Sequence, residues 1–592
     1  MASLYKHATK ELSINNAKAF IDAINSEDGR NDKSSVILYA VLGQDKEWAN
    51  EPSPDTTTHN IQTLEYDVKR NFIGGKKINP DDISFVTARI DWEYNTVYSM
   101  FRDIELDIYN KNFYVLTDEY NVYKCLYNNN SAASTVKPTG HSQIPFTTSD
   151  GYTWKYMYSI SLGEARKFLT ASYMPVKTLE SQGNSVENAR QWVVQQAASN
   201  GSIDVLEVNA PGFGYVQISD GVVELSTDTT LKLSNAGENP PSPVDNFYNG
   251  CSVYIFSGSG AGQLRRIINY EGSSKTLTVN TDFSTPANTD SRVIISPTVT
   301  IIGDGSGALA YARVANSGAV ANVSVLNTGS HYTRAKAVIT ANSIHGSGAS
   351  ANVIISPLGG HGADPVKELG ADKIMLNVTT KGIEGVSANG NGYIPANTSF
   401  RTLSILKDPI LKVNSNNSIT SEAIANSSNS PTTLSFMTRL VSSYIQMDNN
   451  EPVNPIQVGD ILTNERNRAR AEFGQLEFVT DTSLAILSRD ALKNAVQAAN
   501  GSVVFTRKDE TEDDNSFYTI YLNNVESYGK YTPFTKDDIL MTSESDVKVA
   551  VVERIRGPEA NTFSGEVLYT ENFEPVERKI DQTEDFKIIL DF

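Results

Sequence analysis

Histidines are the side chains best able to bind a metal ion or to transfer protons near neutral pH. The chain has six of them: His7, His59, His141, His331, His345 and His361. No two stand at the spacing of an HExxH or HxH metal site, and His345 and His361 lie beside glycines, as expected for turn or packing residues. The sequence contains neither a GxSxG nucleophile motif nor a GxxxxGK[ST] phosphate loop. It therefore predicts no metal site and no nucleophilic or phosphate-transfer chemistry.

Glycoside hydrolysis would need two carboxyl groups held about 5 to 9.5 Å apart across a sugar-binding cleft. Asp91 with Glu93, and Glu571 with Glu574, are possible pairs. A chain with 69 acidic residues produces such pairs by chance, so they do not indicate catalysis. We therefore expect a protein that is not an enzyme and that uses no cofactor.

The composition excludes several other classes of function. The chain has 592 residues, with 50 basic and 69 acidic side chains and a formal net charge of −19. Nucleic-acid binding needs clustered Lys and Arg to neutralise phosphates, so no nucleic-acid partner is expected. No apolar run reaches the roughly 18 to 20 residues that span a bilayer, so no membrane partner is expected either. The hydrophobic share of 39% is sufficient for packed cores.

Cysteine usage indicates folding in a reducing compartment. The two cysteines, Cys125 and Cys251, are too few for a disulfide framework or a cysteine-based zinc site. Cys125 lies in YKCLY, which predicts a buried strand, and Cys251 lies in CSVYIF, which predicts a strand elsewhere. We therefore expect both thiols to be reduced and to lie in separate domains.

The hydrophobic pattern predicts a mainly β protein. Apolar residues at helical spacing predict short helices at 14–24, where Ser13 would be the N-cap, and at 162–169, 185–198 and 490–499. Short β-branched and aromatic runs predict strands, for example at 34–42, 112–118, 123–127 and 253–256. With 39 glycines and 22 prolines between such runs, we expect a multidomain, β-sandwich-like core with few short helices and inserted Gly-rich β modules.

The middle of the chain repeats itself. GSGALAYARV at 305–314 recurs as GSGASANVII at 346–355, and a looser relative starts at Gly258. Stacked β units of this kind bury one face against their neighbours, which predicts an accessory β module. Farther on, the Asn- and Ser-rich stretch 414–435 predicts a mobile connector or exposed loop, and the acidic run 509–514 predicts a solvated loop.

Six longer motifs stand in order along the chain. They are LGQDKEWANEPSPD (42–55), ARIDW (88–92), VYKCL (122–126), SDGYTWKYMYSI (149–160), FRTLSILKDP (400–409) and the C-terminal segment 565–592. Together they resemble the baseplate wedge subunit numbered eight of T-even-like contractile-tailed phages. That family has an R-x-D-W element, a Y-[RK]-C-L strand, a D-G-Y-x-W-x-Y strand and an E-N-R-x-P-I…D-Q-T-E ending. Here Phe573, Glu574 and Pro575 stand where the family has Arg-x-Pro, so a commonly basic position is lost.

The resemblance implies a structural, homodimeric component of the virion's tail baseplate, assembled in the host bacterial cytoplasm. Its partners would be itself and other baseplate wedge proteins. The core would be enlarged by two insertions, which gives the expected domains: 1–184, first part of the core; 185–365, inserted Gly-rich repeat module; 366–411, second part of the core; 412–550, second inserted β-rich domain; 551–592, C-terminal strand region of the core.

Residues in these motifs are candidates for an interface or for defining the core. The candidates are Arg89, Asp91, Trp92, Tyr152, Trp154, Tyr156, Glu571, Arg578, Asp581 and Gln582. Arg89 and Asp91 would share one face of a strand and form a salt bridge beside a core Trp92. Tyr152, Trp154 and Tyr156 alternate along a strand, and such an aromatic face is more often core than interface.

The chain end combines a predicted strand with a polar segment. Phe586, Ile588 and Leu590 alternate with other residues, which predicts a final strand over 586–592. The segment before it, TENFEPVERKIDQTED at 570–585, is too polar to be buried without partners. We expect it to be a loop, stiffened by Pro575, at a surface that contacts a partner.

Two other functions remain open on the sequence. The chain could be a tail-associated carbohydrate-binding or adhesive protein, in which Tyr254, Tyr311 and Tyr332 of the repeat module stack on sugars. Aromatic residues in strands are usually packing residues, which weighs against this alternative. A polysaccharide-degrading enzyme is the third possibility, and paired acids are its only support.

Overall fold

The computed structural model describes most of the chain. The described residues are 6–25, 36–44, 61–236, 240–341, 345–382, 384–385, 392–396, 398–415, 418–425, 429–442, 456–457, 460–480, 502–503, 516–526, 533–543, 548–552 and 554–592. The helix predicted at 490–499, the acidic run 509–514 and most of the motif 42–55 lie outside these residues.

The helices of the described residues are short, apart from the first. They are α1 (Lys6–Asn25), α2 (Ile61–Arg70), α3 (Leu162–Phe168), α4 (Val186–Gln196) and α5 (Pro365–Glu368), with 3₁₀ turns at Pro80–Asp82 and Ile108–Asn110. In α3, Ser161 and Glu164 form a reciprocal capping box that satisfies two backbone amides at the helix start. Ser13 is not an N-cap, because α1 begins two turns earlier. The pattern did not predict α2 or α5.

Strands dominate the rest of the described chain. Up to residue 176 they are β1 (Leu38–Gly43), β2 (Phe72–Lys77), β3 (Ile83–Ala88), β4 (Tyr114–Leu116), β5 (Asn121–Asn128), β6 (Phe146–Thr147), β7 (Tyr152–Ser159) and β8 (Tyr173–Val176). The next set is β9 (Ile203–Phe213), β10 (Ile218–Ser226), β11 (Thr230–Leu233), β12 (Cys251–Ser257), β13 (Leu264–Glu271), β14 (Thr276–Val279), β15 (Arg292–Gly303), β16 (Ser306–Val314), β17 (Val320–Ser330), β18 (Ala335–Thr340) and β19 (Ser347–Ile355).

The remaining strands follow α5. They are β20 (Lys373–Lys381), β21 (Ser399–Lys407), β22 (Ile410–Ser415), β23 (Ser418–Ile424), β24 (Thr433–Ser435), β25 (Thr438–Ser442), β26 (Ile456–Gln457), β27 (Ile461–Asn464), β28 (Arg470–Thr480), β29 (Ser502–Val503), β30 (Ser516–Glu526), β31 (Ile539–Thr542), β32 (Lys548–Val551), β33 (Arg554–Arg556), β34 (Glu566–Glu577) and β35 (Thr583–Asp591). The prediction of a mainly β, multidomain protein is confirmed.

The chain forms two compact units. Unit 1 consists of Met1–Asn15, Phe85–Lys373 and Asp591–Phe592, and unit 2 consists of Asn16–Ser84 and Ile374–Leu590. In unit 1, a four-stranded sheet of order β4-β5-β7-β6 lies in a core of aromatic and aliphatic side chains. This sheet carries two of the sequence motifs, since β5 contains YKCL and β7 contains YTWKY.

The repeat module in unit 1 is a single sheet built entirely from residues 203–355. Its strand order is β10-β11-β14-β13-β12-β15-β16-β17-β9-β19-β18, with additional pairings β10–β15 and β15–β18. The two repeat copies form β16 and β19, which begin directly after Gly305 and Gly346. β16 pairs with β17, and β19 pairs with β9, so the two copies make equivalent hairpin-like pairs. The predicted β module is therefore present and internally duplicated.

Two tyrosines explain why the repeat begins with glycine. Tyr332 packs against Gly305, and Tyr215 packs against Gly346 in the equivalent position. A Cβ atom on either glycine would overlap the tyrosine ring, so no larger residue fits there. Each hydroxyl accepts a bond from a backbone amide of the neighbouring strand, 3.4 Å long for Tyr332 and 3.1 Å for Tyr215.

Unit 2 contains a five-stranded sheet of order β24-β2-β1-β21-β34 and a seven-stranded sheet of order β32-β31-β27-β28-β30-β25-β33. β35 lies beside β20, which confirms the predicted final strand. The prediction of a connector over 414–435 is wrong, because β22 and β23 pair as a hairpin and β24 joins the five-stranded sheet. Backbone pairing does not depend on apolar side chains, which is why an Asn- and Ser-rich stretch can form it.

Candidate functional site

The R-x-D-W motif forms the predicted salt bridge. Arg89 Nε lies 2.9 Å from Asp91 Oδ1, and the guanidinium also donates to the carbonyl of Thr170. Both side chains are partly exposed, so this pair contributes little to stability. Trp92 is partly buried against the core of unit 1 and donates from Nε1 to Ser134 Oγ at 3.2 Å.

The aromatic residues of the D-G-Y-x-W motif form the core itself. Tyr152, Trp154 and Tyr156 are all fully buried in β7. Tyr152 stacks on Trp154 with ring centroids 5.4 Å apart, and its hydroxyl accepts from the backbone amide of Tyr98. Tyr98 in turn packs edge-on against Trp154. These three candidates define the core of unit 1, and none of them is exposed for a partner.

One loop joins the two motifs although they are about 60 residues apart in sequence. Asp150 accepts from the Ser134 hydroxyl at 3.1 Å and from the amides of Thr135 and Val136 at 2.8 and 3.0 Å. Because Ser134 also accepts from Trp92, a continuous chain of bonds connects Trp92 to Asp150. The structure therefore brings Trp92 and the three aromatic candidates of β7 together in one core, whereas Arg89 and Asp91 form a partly exposed pair.

The C-terminal candidates lie in unit 2 and differ in burial. Arg578 is completely buried, donates to the carbonyls of Pro395 and Lys381, and lies 3.6 Å from Glu584 Oε1. Its placement on a partner-facing loop is therefore wrong, since its partners all belong to the same unit. Glu571 is exposed, but on strand β34.

The other two C-terminal candidates lie in the turn between β34 and β35. Asp581 is exposed, and the backbone carbonyl of Gln582 accepts from the amide of Gly382 at 2.7 Å. The predicted loop over 570–585 is thus mostly strand, because β34 pairs with the edge of β21 on both sides of an irregularity at 573–575.

A buried ionic cluster in unit 1 was not predicted. Lys124 Nζ, in β5, lies 2.8 Å from Glu368 Oε2 and 3.1 Å from His361 Nδ1. The same ammonium lies over the ring of Phe101, 3.9 Å from its centroid. His361 Nε2 is 4.0 Å from Asp204 Oδ2 at the start of β9. The side chains of Lys124 and Glu368 are 0% and 2% exposed, so solvent does not screen this pair.

Backbone amides complete the cluster. Glu368 Oε1 accepts from the amides of Gly362 and Asp364 at 2.7 and 3.3 Å. Gly362 has a φ of +92°, and a Cβ atom there would meet Val194, so only glycine permits this approach. The carboxylate therefore has a hydrogen-bond donor on each oxygen, which is what a buried charge needs.

Burial and the charge of Lys124 shift the pKa values of Glu368 and His361. Burial alone would raise the pKa of Glu368, but the ammonium of Lys124 outweighs it, and the pKa is about 2. Burial lowers the pKa of His361, and the ammonium of Lys124 lowers it further. Because His361 Nδ1 faces the ammonium, it acts as the acceptor, and the neutral ring carries its proton on Nε2, toward Asp204.

The cluster lies where the repeat module begins and ends. The amide of Ser356, just after β19, donates to the carbonyl of Ser202, just before β9, at 2.9 Å. Asp204 belongs to β9, and His361 follows β19. Lys124 lies on the adjoining four-stranded sheet. The cluster thus ties both ends of the module to that sheet, which is a structural function.

Sequence reasoning missed this cluster, although a signal was present. Lys124 stands within VYKCLY, a run predicted to be a buried strand. A charged residue in such a strand requires a buried partner of opposite charge, and Glu368 is that partner 244 positions away.

The lowered pKa of His361 predicts that the folded protein loses stability at low pH. Its pKa is lower in the folded protein than the ordinary 6.5, so the unfolded chain binds more protons and stability falls as the pH drops below about 6.5. A further loss is expected between pH 4.5 and 2 as Glu368 takes up its proton. Urea unfolding followed by tryptophan fluorescence at pH 8 and pH 5.5 measures the first loss.

The variant His361→Asn keeps an acceptor for Lys124 but cannot titrate, so it should show a smaller change between these two pH values. His331→Asn, at an exposed position with φ +63° that asparagine tolerates, is the matched control and should behave like the unmodified protein. An unchanged pH dependence in His361→Asn would contradict this assignment.

The tyrosines proposed to stack on sugars are packing residues. Tyr311 and Tyr332 are buried, and Tyr254 stacks on Tyr311 with centroids 5.0 Å apart. None of the three forms an open aromatic platform, so they give no support to carbohydrate binding.

Both cysteines are buried. Cys125 lies in β5 and Cys251 in β12, which belong to different sheets of unit 1. In the described part of the chain, no group of three or more His, Cys, Asp or Glu could hold a metal ion. None of the helices described there is long and apolar enough to cross a membrane.

No protein-family model matches this chain, and no curated protein matches it either.

Proposed function

We propose that this chain is a structural component of a contractile phage tail baseplate wedge that acts through protein–protein interfaces. The observation that carries the proposal is the order of six motifs that resemble the wedge subunit numbered eight. The packing of three of these motifs around one core supports it, because Trp92, Cys125 and Trp154 contact the same cluster.

The proposal also agrees with how the charged residues are used. Lys124 with Glu368, and Arg578 with Glu584, are buried and hold segments of each unit together. In both pairs the charged groups have their ionic partners within their own unit and are closed to solvent, so they have a structural use. A protein of this kind would act through its surfaces, with a C2 dimer presenting each surface twice.

Purified tails provide the test. Mass spectrometry of tails from phage particles should find this chain together with other wedge proteins, and an antibody against the repeat module should label the baseplate in electron micrographs. Tails that lack the chain would contradict the proposal. Binding in a glycan array would favour the adhesive alternative instead.

The homodimer is a separate prediction. Sedimentation of the full chain should show a dimer, and a variant lacking 203–355, in which Ser202 is joined to Ser356, should remain a dimer. The junction is suitable because these two residues are already hydrogen-bonded to each other. A monomeric variant with native circular dichroism would mean that the module itself forms the interface.

A further inference from the structure

Strand β34 lies at the edge of the five-stranded sheet in unit 2. It pairs with β21 from Glu566 opposite Lys407 to Glu577 opposite Ser399, with irregularities in the register at Leu568 and over 573–575. Within the described residues β21 is its one neighbouring strand. None of its twelve residues is buried, whereas seven of the nine residues of β21 are. An edge strand of this length is a template on which another chain can add a strand.

Structural features at each end limit the length of the edge available for pairing. At the start, Glu65 of α2 accepts from the backbone amide of Val567, and Lys69 donates to the carbonyl of Gly565 at 2.8 Å. Near the other end, Pro575 has no amide hydrogen to offer to an added strand. The edge suited to pairing therefore runs from Leu568 to Glu574.

The charge of β34 selects the type of partner. The strand contains four glutamates and no basic residue. Glu566 is paired with Lys407 at 3.0 Å, whereas Glu571 and Glu574 project from the exposed part of the edge. Pairing of two copies of β34 would bring glutamates close to glutamates, which is destabilising. The charge therefore favours a segment that carries lysine or arginine.

An exposed aromatic pair lies beside the start of the strand. Tyr66 of α2 stacks on Phe563 with ring centroids 4.9 Å apart and planes inclined by 10°. The two residues are 53% and 52% exposed, although aromatic rings of this size are usually buried. Such a pair can receive an apolar side chain at one end of an added strand.

We propose that the edge of β34 between Leu568 and Glu574 binds an extended, Lys- or Arg-rich segment of another structural protein, which adds a strand to the sheet. Main-chain bonds to β34 would provide affinity, and basic side chains of the added segment would pair with Glu571 and Glu574. This inference rests on the proposed function and names the chemistry of a partner.

The test uses the full chain and synthetic nine-residue peptides. One peptide alternates lysine with valine, its control alternates glutamate with valine, and a third is the lysine peptide N-methylated at alternate amides. Calorimetry should detect binding of the first peptide only, weaker at high salt. Hydrogen exchange should show protection of amides within 568–574 on binding.

The variant Glu571→Lys with Glu574→Lys should weaken binding of the lysine peptide about ten-fold, because two exposed pairs become repulsive. Glu180→Lys with Glu187→Lys is the matched control, and binding should be unchanged because these residues lie outside unit 2. Equal binding of the N-methylated peptide would overturn strand addition, and equal binding of the glutamate peptide would overturn charge selection.

Absence of binding by any peptide, or dissociation of a homodimer by Glu571→Lys with Glu574→Lys, would also overturn the inference. A chain that is present in tails but binds no peptide contradicts only this inference. A chain that binds the lysine peptide but is absent from tails contradicts only the proposed function.

Discussion

Replacement of Lys124 by methionine is expected to lower the stability of unit 1 by about 3–5 kcal/mol. Methionine fills a similar volume, but it leaves Glu368 as an uncompensated charge in a site closed to solvent. It also removes the cation from the ring of Phe101 and the donor from His361. Among the predictions for unit 1 this has the largest effect, because burial removes the screening that weakens surface pairs.

Cys125 offers a direct measurement, since it is buried in β5 next to Lys124. In a Cys251→Ser background, labelling of the Cys125 thiol at increasing urea reports the opening of this core. Lys111→Met is the matched control, because Lys111 pairs with Glu105 at 2.7 Å on the surface, and its loss should cost less than about 1 kcal/mol.

The double variant Lys124→Met with Glu368→Leu should recover part of the lost stability, because no charge then remains unpaired. A single Lys124→Met variant as stable as Lys111→Met would show that the ionic cluster does not hold the module ends to the sheet.

Replacement of Arg578 by methionine is expected to lower the stability of unit 2 by about 3–5 kcal/mol. The guanidinium is completely buried and donates to the carbonyls of Pro395 and Lys381. Its loss leaves these acceptors without a donor and Glu584 without its cation. Hydrogen exchange of β21 peptides, followed by mass spectrometry, should show faster exchange in the variant.

Lys579→Met is the control, because its side chain is 52% exposed and lies 3.8 Å from an exposed Glu577. Its effect should stay below about 1 kcal/mol. The difference in burial between Arg578 and Lys579 also decides which substitutions can test an interface at the chain end. Charge reversal at Arg578 would damage the fold, so only Lys579 and the exposed glutamates of β34 are suitable for that purpose. Equal exchange rates in the two single variants would contradict the structural role of Arg578.

The buried cluster lies where the repeat module joins the rest of unit 1. Residue 203 begins β9, and residue 355 ends β19. The two residues pair with each other, so the module begins and ends at nearly the same place. Ionic groups at this junction hold both ends of the module to the sheet that carries Lys124.

The sequence by itself determined the local features. Alternation of β-branched and aromatic residues is enough to predict β5, β7, β12 and β35, because side chains of a strand point alternately to opposite faces. The glycine-containing repeats predicted the β module to which β16 and β19 belong. Ser161 and Glu164 lie three residues apart and cap α3 through contacts that are local in the chain.

Only the tertiary structure decided where charged residues lie. Lys124 and Glu368 are separated by 244 positions, and no local pattern specifies that they meet. Polarity predicted that Arg578 would be exposed, yet carbonyls from two distant segments and Glu584 make its burial possible. Whether a polar side chain faces solvent depends on partners supplied by other segments, and those partners are positioned by the packing of the sheets.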